Sequence, residues 1–309
     1  MRIAVMGSGA VGGYFGAKLA AAENEVAFIA RGNHLAALQA NGLRVNSPAG
    51  DLTVRQAQFT EAPERVGHVD VILFCVKSYD TEAAAQAIEP MVSDRCQILS
   101  LQNGIDNADK LARVYGQSKV LPAVVYVGAQ LSAPGVITHS NGGRIIFGQM
   151  DGAVADQTII LAQSLTAAGI PCETSAEIRQ VQWTKLLWNA PFCAISCLTR
   201  ANTNEIVESA SLTRLALDGM AEVQAAARSQ GIELPRHLFD EVLSFSRSLG
   251  EFKPSMLQDL ESSKPLEYQA FNGIVVKLLK AHGQPAPINQ TFCRALKFLD
   301  QRIRGEAKR

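Results

Sequence analysis

The chain has 309 residues, with 29 basic against 29 acidic side chains and 47% hydrophobic residues, a length that suits about two domains, each burying its own core. The balanced charge gives no electrostatic footprint for nucleic acid or an anionic membrane, and no stretch approaches the ~20 uninterrupted apolar residues of a membrane span. Six cysteines (Cys75, Cys96, Cys172, Cys193, Cys197, Cys293) lie scattered without a C-x-x-C pair, and five histidines (His34, His68, His139, His237, His282) are equally dispersed. Reduced thiols in a cytoplasm and no protein-built metal site are therefore expected.

Residues 2–6 (RIAVM) read as a buried strand and residues 10–22 (AVGGYFGAKLAAA) as a helix packed on it. The join, Gly7, Ser8, Gly9, Ala10, Val11 and Gly12, spells G-x-G-x-x-G. In such a turn the first glycine permits the bend, the second lets the backbone approach a pyrophosphate, and the third allows close packing of helix on strand. The N–H groups and dipole of the new helix then face the phosphates. A glycine-rich turn alone occurs in many α/β proteins; a preceding strand and a following helix are the context that dinucleotide binding requires. A signal peptide is the competing reading of one arginine before an apolar segment, but the glycines from 7 to 16 interrupt it and no cleavage pattern follows.

The next strand is 25–30 (EVAFIA), and its end is where an acid grips the ribose 2′-OH of NAD in a Rossmann fold. Arg31 stands there instead, followed by Gly32 and Asn33. A guanidinium suits a 2′-phosphate through bidentate, charge-assisted hydrogen bonds, so NADP(H) is expected over NAD(H); the plain alternative is an exposed loop arginine. A short helix follows at 34–42, then a β excursion at 43–59 with a turn at 48–50. The near-continuous apolar run 69–76 is expected of a parallel strand covered on both faces, and it delivers Lys77 at its carboxyl end. A helix at 81–91 and a strand at 96–101 lead to Gln102, Asn103 and Gly104. Lys77 and Asn103 thus emerge on the same sheet edge, where ligands bind in such sheets.

Residues 119–148 are β-rich, with Pro134-Gly135 and Asn141-Gly142-Gly143 expected as turns. A helix at 156–168 and a short strand at 172–174 complete the sheet. After Ser175 the patterns become helical, so an α/β, Rossmann-type dinucleotide-binding domain at 1–175 is expected to precede an all-helical domain at 176–309. The segment 176–198 is apolar on most sides, with Lys185, Asn189 and Cys193 along one face. A lysine there reaches solvent along its stem, finds a partner, or lowers its pKa toward a value suited to proton donation. Pro191 should kink this helix or end its first half. Further helices are expected at 212–229, 236–249, after the loop EFKPSMLQD, at 266–281 and at 289–303, before a charged, solvated tail at 304–309. Glu267 falls in the first turn of its helix, where a carboxylate also simply complements the dipole.

Taken together, GSGAVGGYFG, Arg31, CVKSYDT, LQNGIDN, the PG-V-x-H segment at 134–139, the W-x-K-L-x-x-N run carrying Trp183, Lys185 and Asn189, and SMLQDLESSKPLE from Ser255 to Glu267 resemble the ketopantoate reductase (2-dehydropantoate 2-reductase) family. The resemblance spans nearly the whole chain. It implies an NADPH-binding Rossmann domain before a helical domain, and reduction of the small 2-oxo acid ketopantoate to pantoate on the route to pantothenate. It implies that Lys185 protonates the carbonyl oxygen as hydride reaches C2, and that Asn103 meets cofactor and substrate. Lys77 and Ala129 would lie on the cofactor side, Asn189 and Ser255 would hydrogen-bond the substrate, and Glu267 would help fix the reacting groups. The active site would be a cleft between domains that closes over its ligands, and a homodimer through the helical domain is plausible by resemblance. The chain departs from the pattern at Cys193, where the family carries a second asparagine, and at Thr203, flanked by Asn202 and Asn204, near the place of a third. Another 2-oxo acid on the same scaffold is the neighbouring reading, since specificity lies in a few polar contacts; a non-catalytic NADPH sensor is the reading of a different class.

Overall fold

The computed structural model describes residues 1–305; the tail expected at 304–309 lies outside them from residue 306 onward. The chain forms two compact units, Met1–Ile178 and Arg179–Arg309.

The first unit is built on a 10-stranded sheet. Its strands are β1 (Arg2–Met6), β2 (Glu25–Ile29), β3 (Leu43–Asn46), β4 (Leu52–Val54), β5 (Gln58–Thr60), β6 (Val69–Phe74), β7 (Val92–Ser100), β8 (Val120–Ala133), β9 (Val136–Phe147) and β10 (Cys172–Thr174). The spatial order β5-β2-β1-β6-β7-β8 is parallel throughout. Numbered without the short excursion β3–β4, this is the 3-2-1-4-5-6 order of a dinucleotide-binding fold, whose direction of winding reverses beside β1. β8 and β9 form a long antiparallel hairpin, and β3, β4 and β10 extend the sheet beyond it.

Alternate residues of a strand face opposite sides, and β1 divides its side chains accordingly. Ile3 and Val5 join a core with Phe15 and Leu19 of α1 (Ala10–Ala21), Leu38 of α2 (Gly32–Asn41) and, farther along, Leu161 and Leu165. Ala4 and Met6 join the opposite core with Ala84 of α3 (Thr81–Ala87) and Leu111 of α4 (Asn107–Tyr115). Leu161 and Leu165 belong to α5 (Asp156–Ala167). The apolar run in β6 is buried on both faces as its composition requires; each fully buried Leu, Ile or Phe contributes about 1.5–3 kcal/mol.

One expected turn is a different feature. The Asn141-Gly142-Gly143 segment lies inside β9, where the register jumps from Tyr126 opposite Arg144 to Val127 opposite Gly142. Gly142 and Gly143 have φ of +73° and +115°, and a Cβ on Gly142 would meet the Tyr126 carbonyl at 2.4 Å. Positive-φ glycines serve a β-bulge as well as a turn, and the sequence does not separate the two.

The second unit is helical: α6 (Ile178–Thr199), which begins at the boundary, then α7 (Thr203–Glu208), α8 (Ala210–Ser229), α9 (Leu238–Ser248), α10 (Ser255–Glu261), α11 (Ile274–Ala281) and α12 (Pro287–Ile303). α6 passes through Pro191 without ending there, so of the two expected effects of this proline the termination does not occur. Its flanks Leu187, Ala190, Phe192, Ala194 and Ile195 are all fully buried, and this packing offsets the lost i→i−4 hydrogen bond. Gly219 of α8 makes room for the ring, since a Cβ there would stand 3.3 Å from that of Pro191. The short α7, absent from the expected elements, starts with a capping box: the Asn202 side chain accepts the Glu205 N–H at 3.0 Å and the Glu205 carboxylate accepts the Asn202 N–H at 2.8 Å.

Candidate active site

At the end of β1 the three glycines differ in what surrounds them. Gly7 has φ +96°, open to glycine and strained for other residues, and a Cβ there would meet the Val76 nitrogen at 2.8 Å. A Cβ on Gly12 would lie 2.3 Å from the Gly7 carbonyl oxygen and 2.8 Å from Val5, so the helix packs on the strand only because this residue has no side chain. Gly9, the N-cap of α1, has nothing within 4 Å of a Cβ position. Its bareness serves no packing need within the protein; it leaves space at a helix N-terminus, the place a pyrophosphate takes. The residues present fit a dinucleotide. Ser8 is buried, with its N–H and its hydroxyl both directed to the Ile29 carbonyl at 3.0 Å, while Ala10 and Val11 form the half-buried first turn of the helix.

Because β1, β2, β6 and β7 are parallel, their carboxyl ends share an edge. Arg31 follows β2 there as the exposed N-cap of α2. Lys77 follows β6, half-buried, and Asn103 follows β7, also half-buried. β8 pairs with β7 only through Pro122, opposite Ser100, and then overshoots that edge, carrying Ala129 opposite His139 on the hairpin.

The Lys77 and Asn103 loops are fastened by side chains that sequence reasoning passed over. The Gln102 amide donates to the Val76 carbonyl at 3.0 Å and to the Thr81 hydroxyl at 2.7 Å. Its oxygen accepts from Ser100 at 3.3 Å. The Thr81 hydroxyl also lies 3.0 Å from the Asn107 side-chain oxygen, and the Asn107 amide donates to the Asn103 carbonyl at 2.7 Å. The side chains that make it, Ser100, Gln102, Thr81 and Asn107, are all buried, the condition under which such a network rigidifies its surroundings. The signal was present in the polar residues adjoining Lys77 and Asn103, but their pairing is not local.

In the second unit, Lys185, Asn189 and Cys193 lie one turn apart along α6. Lys185 is half-buried, whereas Asn189 and Cys193 are buried. Desolvation of the Lys185 amine lowers its pKa from the ordinary lysine value to about 8, against the smaller raising influences of Cys193 and Glu267. That effect of Glu267 associates the carboxylate with the amine. Glu267 itself is 5% exposed and lies just before its helix, not in the first turn expected for it. The helix opens with a π turn, Gln269–Gly273, a widened turn that frequently accompanies functional sites. Ser255 opens α10 and is half-buried. Thr203 is fully buried, with its hydroxyl donating to the Gly250 carbonyl at 2.6 Å; it is committed to the backbone.

Burial raises the thiol pKa values of Cys75, Cys96 and Cys197, which disfavours their thiolate forms. Among the described residues no group of three or more His, Cys, Asp or Glu side chains is gathered for a metal, and no helix is long and apolar enough to cross a membrane.

The chain is similar to known proteins along both units. Residues 3–152 match the family described as ketopantoate reductase PanE/ApbA, and residues 177–300 match its C-terminal part. A 2-dehydropantoate 2-reductase of Mesorhizobium japonicum is 31% identical, over 93% of this chain and 94% of its own. The crystal structure of a PanE/ApbA family ketopantoate reductase from Ralstonia eutropha JMP134 superposes with a TM-score of 0.91 at 34% identity, covering 98% of this chain and 100% of that one. D-mandelate dehydrogenase, solved with NADH and anilino(oxo)acetate, shares the fold at 21% identity, with a TM-score of 0.89 and coverage of 98% and 99%. A parallel sheet in dinucleotide-binding order, a bare glycine at a helix N-terminus and matches along both units lead to one assignment: the chain belongs to the ketopantoate reductase family and is an oxidoreductase of that type.

Proposed function

We propose that this enzyme reduces ketopantoate to pantoate with NADPH, in a reducing cytoplasm and as a homodimer. The observation that carries the reading is the Lys185 amine, held at about 8 by desolvation on a helix that also presents Asn189. When bound, the dinucleotide supplies a hydride to the carbonyl carbon. Lys185 supplies the proton: its ammonium N–H bond breaks as an O–H bond forms on the carbonyl oxygen, so ketone, hydride and proton balance to the alcohol. Near pH 7 an amine with a pKa of about 8 is mostly protonated yet gives up its proton far more readily than an ordinary lysine. Asn189 and Ser255 orient the substrate by hydrogen bonds, and Asn103 stands on the sheet edge to meet both ligands. Glu267 tunes and positions the amine. Lys77 and Ala129 line the cofactor side, the turn from Gly7 to Gly12 receives the pyrophosphate, and Arg31 receives the 2′-phosphate.

A second reading is favoured by Cys193. It is fully buried and a weak hydrogen-bonding group where the family carries asparagine, so another 2-oxo acid would fit the same chemistry. Loss of NADPH absorbance with a panel of 2-oxo acids, ketopantoate included, on wild type and Lys185→Ala tests both. Full activity in Lys185→Ala would falsify the proposed acid, a faster turnover of another acid would select the second reading, and NADPH binding with no turnover of any acid would favour a sensor. Sedimentation of the purified chain checks the dimer.

A further inference from the structure

His34 stands in the first turn of α2, three residues after Arg31, and is half-buried. One ring nitrogen, Nδ1, accepts the N–H of Gly135 at 2.9 Å. The other, Nε2, lies 2.7 Å from the Ser8 carbonyl oxygen. A backbone N–H can only donate, so Nδ1 is the bare nitrogen and the ring proton belongs on Nε2, which donates to Ser8. The imidazole therefore ties three segments together: the glycine-rich turn, the start of α2 with Arg31 at its cap, and the Pro134-Gly135 turn of the β8–β9 hairpin. Gly135 is itself anchored, since its carbonyl accepts the Arg44 N–H of β3 at 2.9 Å.

The bond to Ser8 has a directional consequence. In a trans peptide the carbonyl and the following N–H point opposite ways, so holding the Ser8 carbonyl toward His34 turns the Gly9 N–H away from it. Gly9 is the glycine with open space about its α-carbon. The Ser8 N–H and hydroxyl are already directed to Ile29, so the remaining freedom of this peptide plane lies where His34 acts.

We infer that His34 is a positioning residue for the pyrophosphate of the cofactor: without touching the cofactor, it fixes the Ser8–Gly9 peptide and the separation between that peptide and Arg31. This rests on the dinucleotide reading of the glycine-rich turn.

Dissociation constants for NADPH and for adenosine 2′-monophosphate, which lacks the pyrophosphate, test it on the full chain with His34→Ala, His34→Gln and His34→Asn. Glutamine carries an amide donor to about the reach of Nε2, and asparagine carries one only to about that of Nδ1. His34→Ala and His34→Asn should weaken NADPH about tenfold, the effect of one hydrogen bond, with adenosine 2′-monophosphate nearly unchanged and glutamine restoring most of the loss. Unchanged NADPH affinity in His34→Ala, or an equal loss for both ligands, overturns the inference. Should the alanine variant fail to fold, glutamine binding NADPH more tightly than asparagine supports it, and equal or reversed affinities overturn it. A wild-type chain that binds neither NADPH nor NADH would instead overturn the dinucleotide reading.

Discussion

The side-chain amide of Gln102 donates to the main-chain carbonyl of Val76 at 3.0 Å, joining the residue before Asn103 to the residue before Lys77. Two loops at the ends of adjacent strands are thereby locked to each other through a residue that is 7% exposed. Gln102→Ala should leave buried partners unsatisfied and cost about 1–3 kcal/mol of stability. Thermal unfolding measures that loss. Steady-state kinetics should show a raised substrate KM as well, since Asn103 loses its fixed support.

The second and third glycines of the turn should fail in different ways. Gly12→Ala places a methyl against the Gly7 carbonyl oxygen and Val5, so it should lower Tm and spoil cofactor binding together. Gly9→Ala meets nothing within the protein and should fold with an unchanged Tm while NADPH affinity falls by about tenfold or more. A Gly9→Ala chain with wild-type affinity would remove the pyrophosphate from this position.

Lys185 sets a pH dependence with a definite sign. The protonated amine is the acid, so kcat for reduction should fall as pH rises through about 8, and oxidation of the alcohol, which needs the neutral amine, should rise through the same range. Lys185→Ala should lower kcat about 10²- to 10⁴-fold. Its stability contribution runs the other way from a paired lysine. Because the folded pKa is lowered, the contribution is full above the unfolded value and is lost as pH falls through about 8. Lys185→Met should accordingly raise Tm at pH 7 while abolishing reduction.

Arg31 is exposed at the cap of α2, a position free to close on a phosphate. Arg31→Ala should weaken NADPH about 10- to 100-fold, as loss of charge-assisted hydrogen bonds implies, and leave NADH nearly unchanged. Fluorescence titration with both cofactors decides it: equal losses would sink the preference for the 2′-phosphate.

Features written in local sequence were legible. The apolar run of β6, the glycine-rich turn and the strand Cys172–Thr174 follow from periodicity and turn residues alone. The places of the candidate residues were legible as well: Arg31, Lys77 and Asn103 follow the strands β2, β6 and β7, and Lys185 lies in the apolar helix α6. What escaped depends on partners far along the chain. Gln102, Thr81 and Asn107 acquire their meaning only when β6 and β7 lie side by side. The bulge at Gly143 shares its glycine chemistry with a turn, and Pro191 is tolerated through tertiary packing that no helix propensity records. His34 reads as an ordinary helix residue until the hairpin turn reaches it.

The π turn after Glu267 also acts as a phase setter for the chain that follows. Each residue of an α-helix advances the side-chain direction by about 100°, and the wide turn at Gln269–Gly273 absorbs one residue without that advance. Removing one residue there would let an ordinary helix form and leave Ile274, Val275 and Leu279, all buried, facing as they do now, whereas removing one between Ile274 and Leu279 would turn Leu279 by about 100°. The wide turn is therefore the stretch where a change of length is absorbed, and a one-residue deletion within Gln269–Gly273 should survive where the same deletion inside α11 does not.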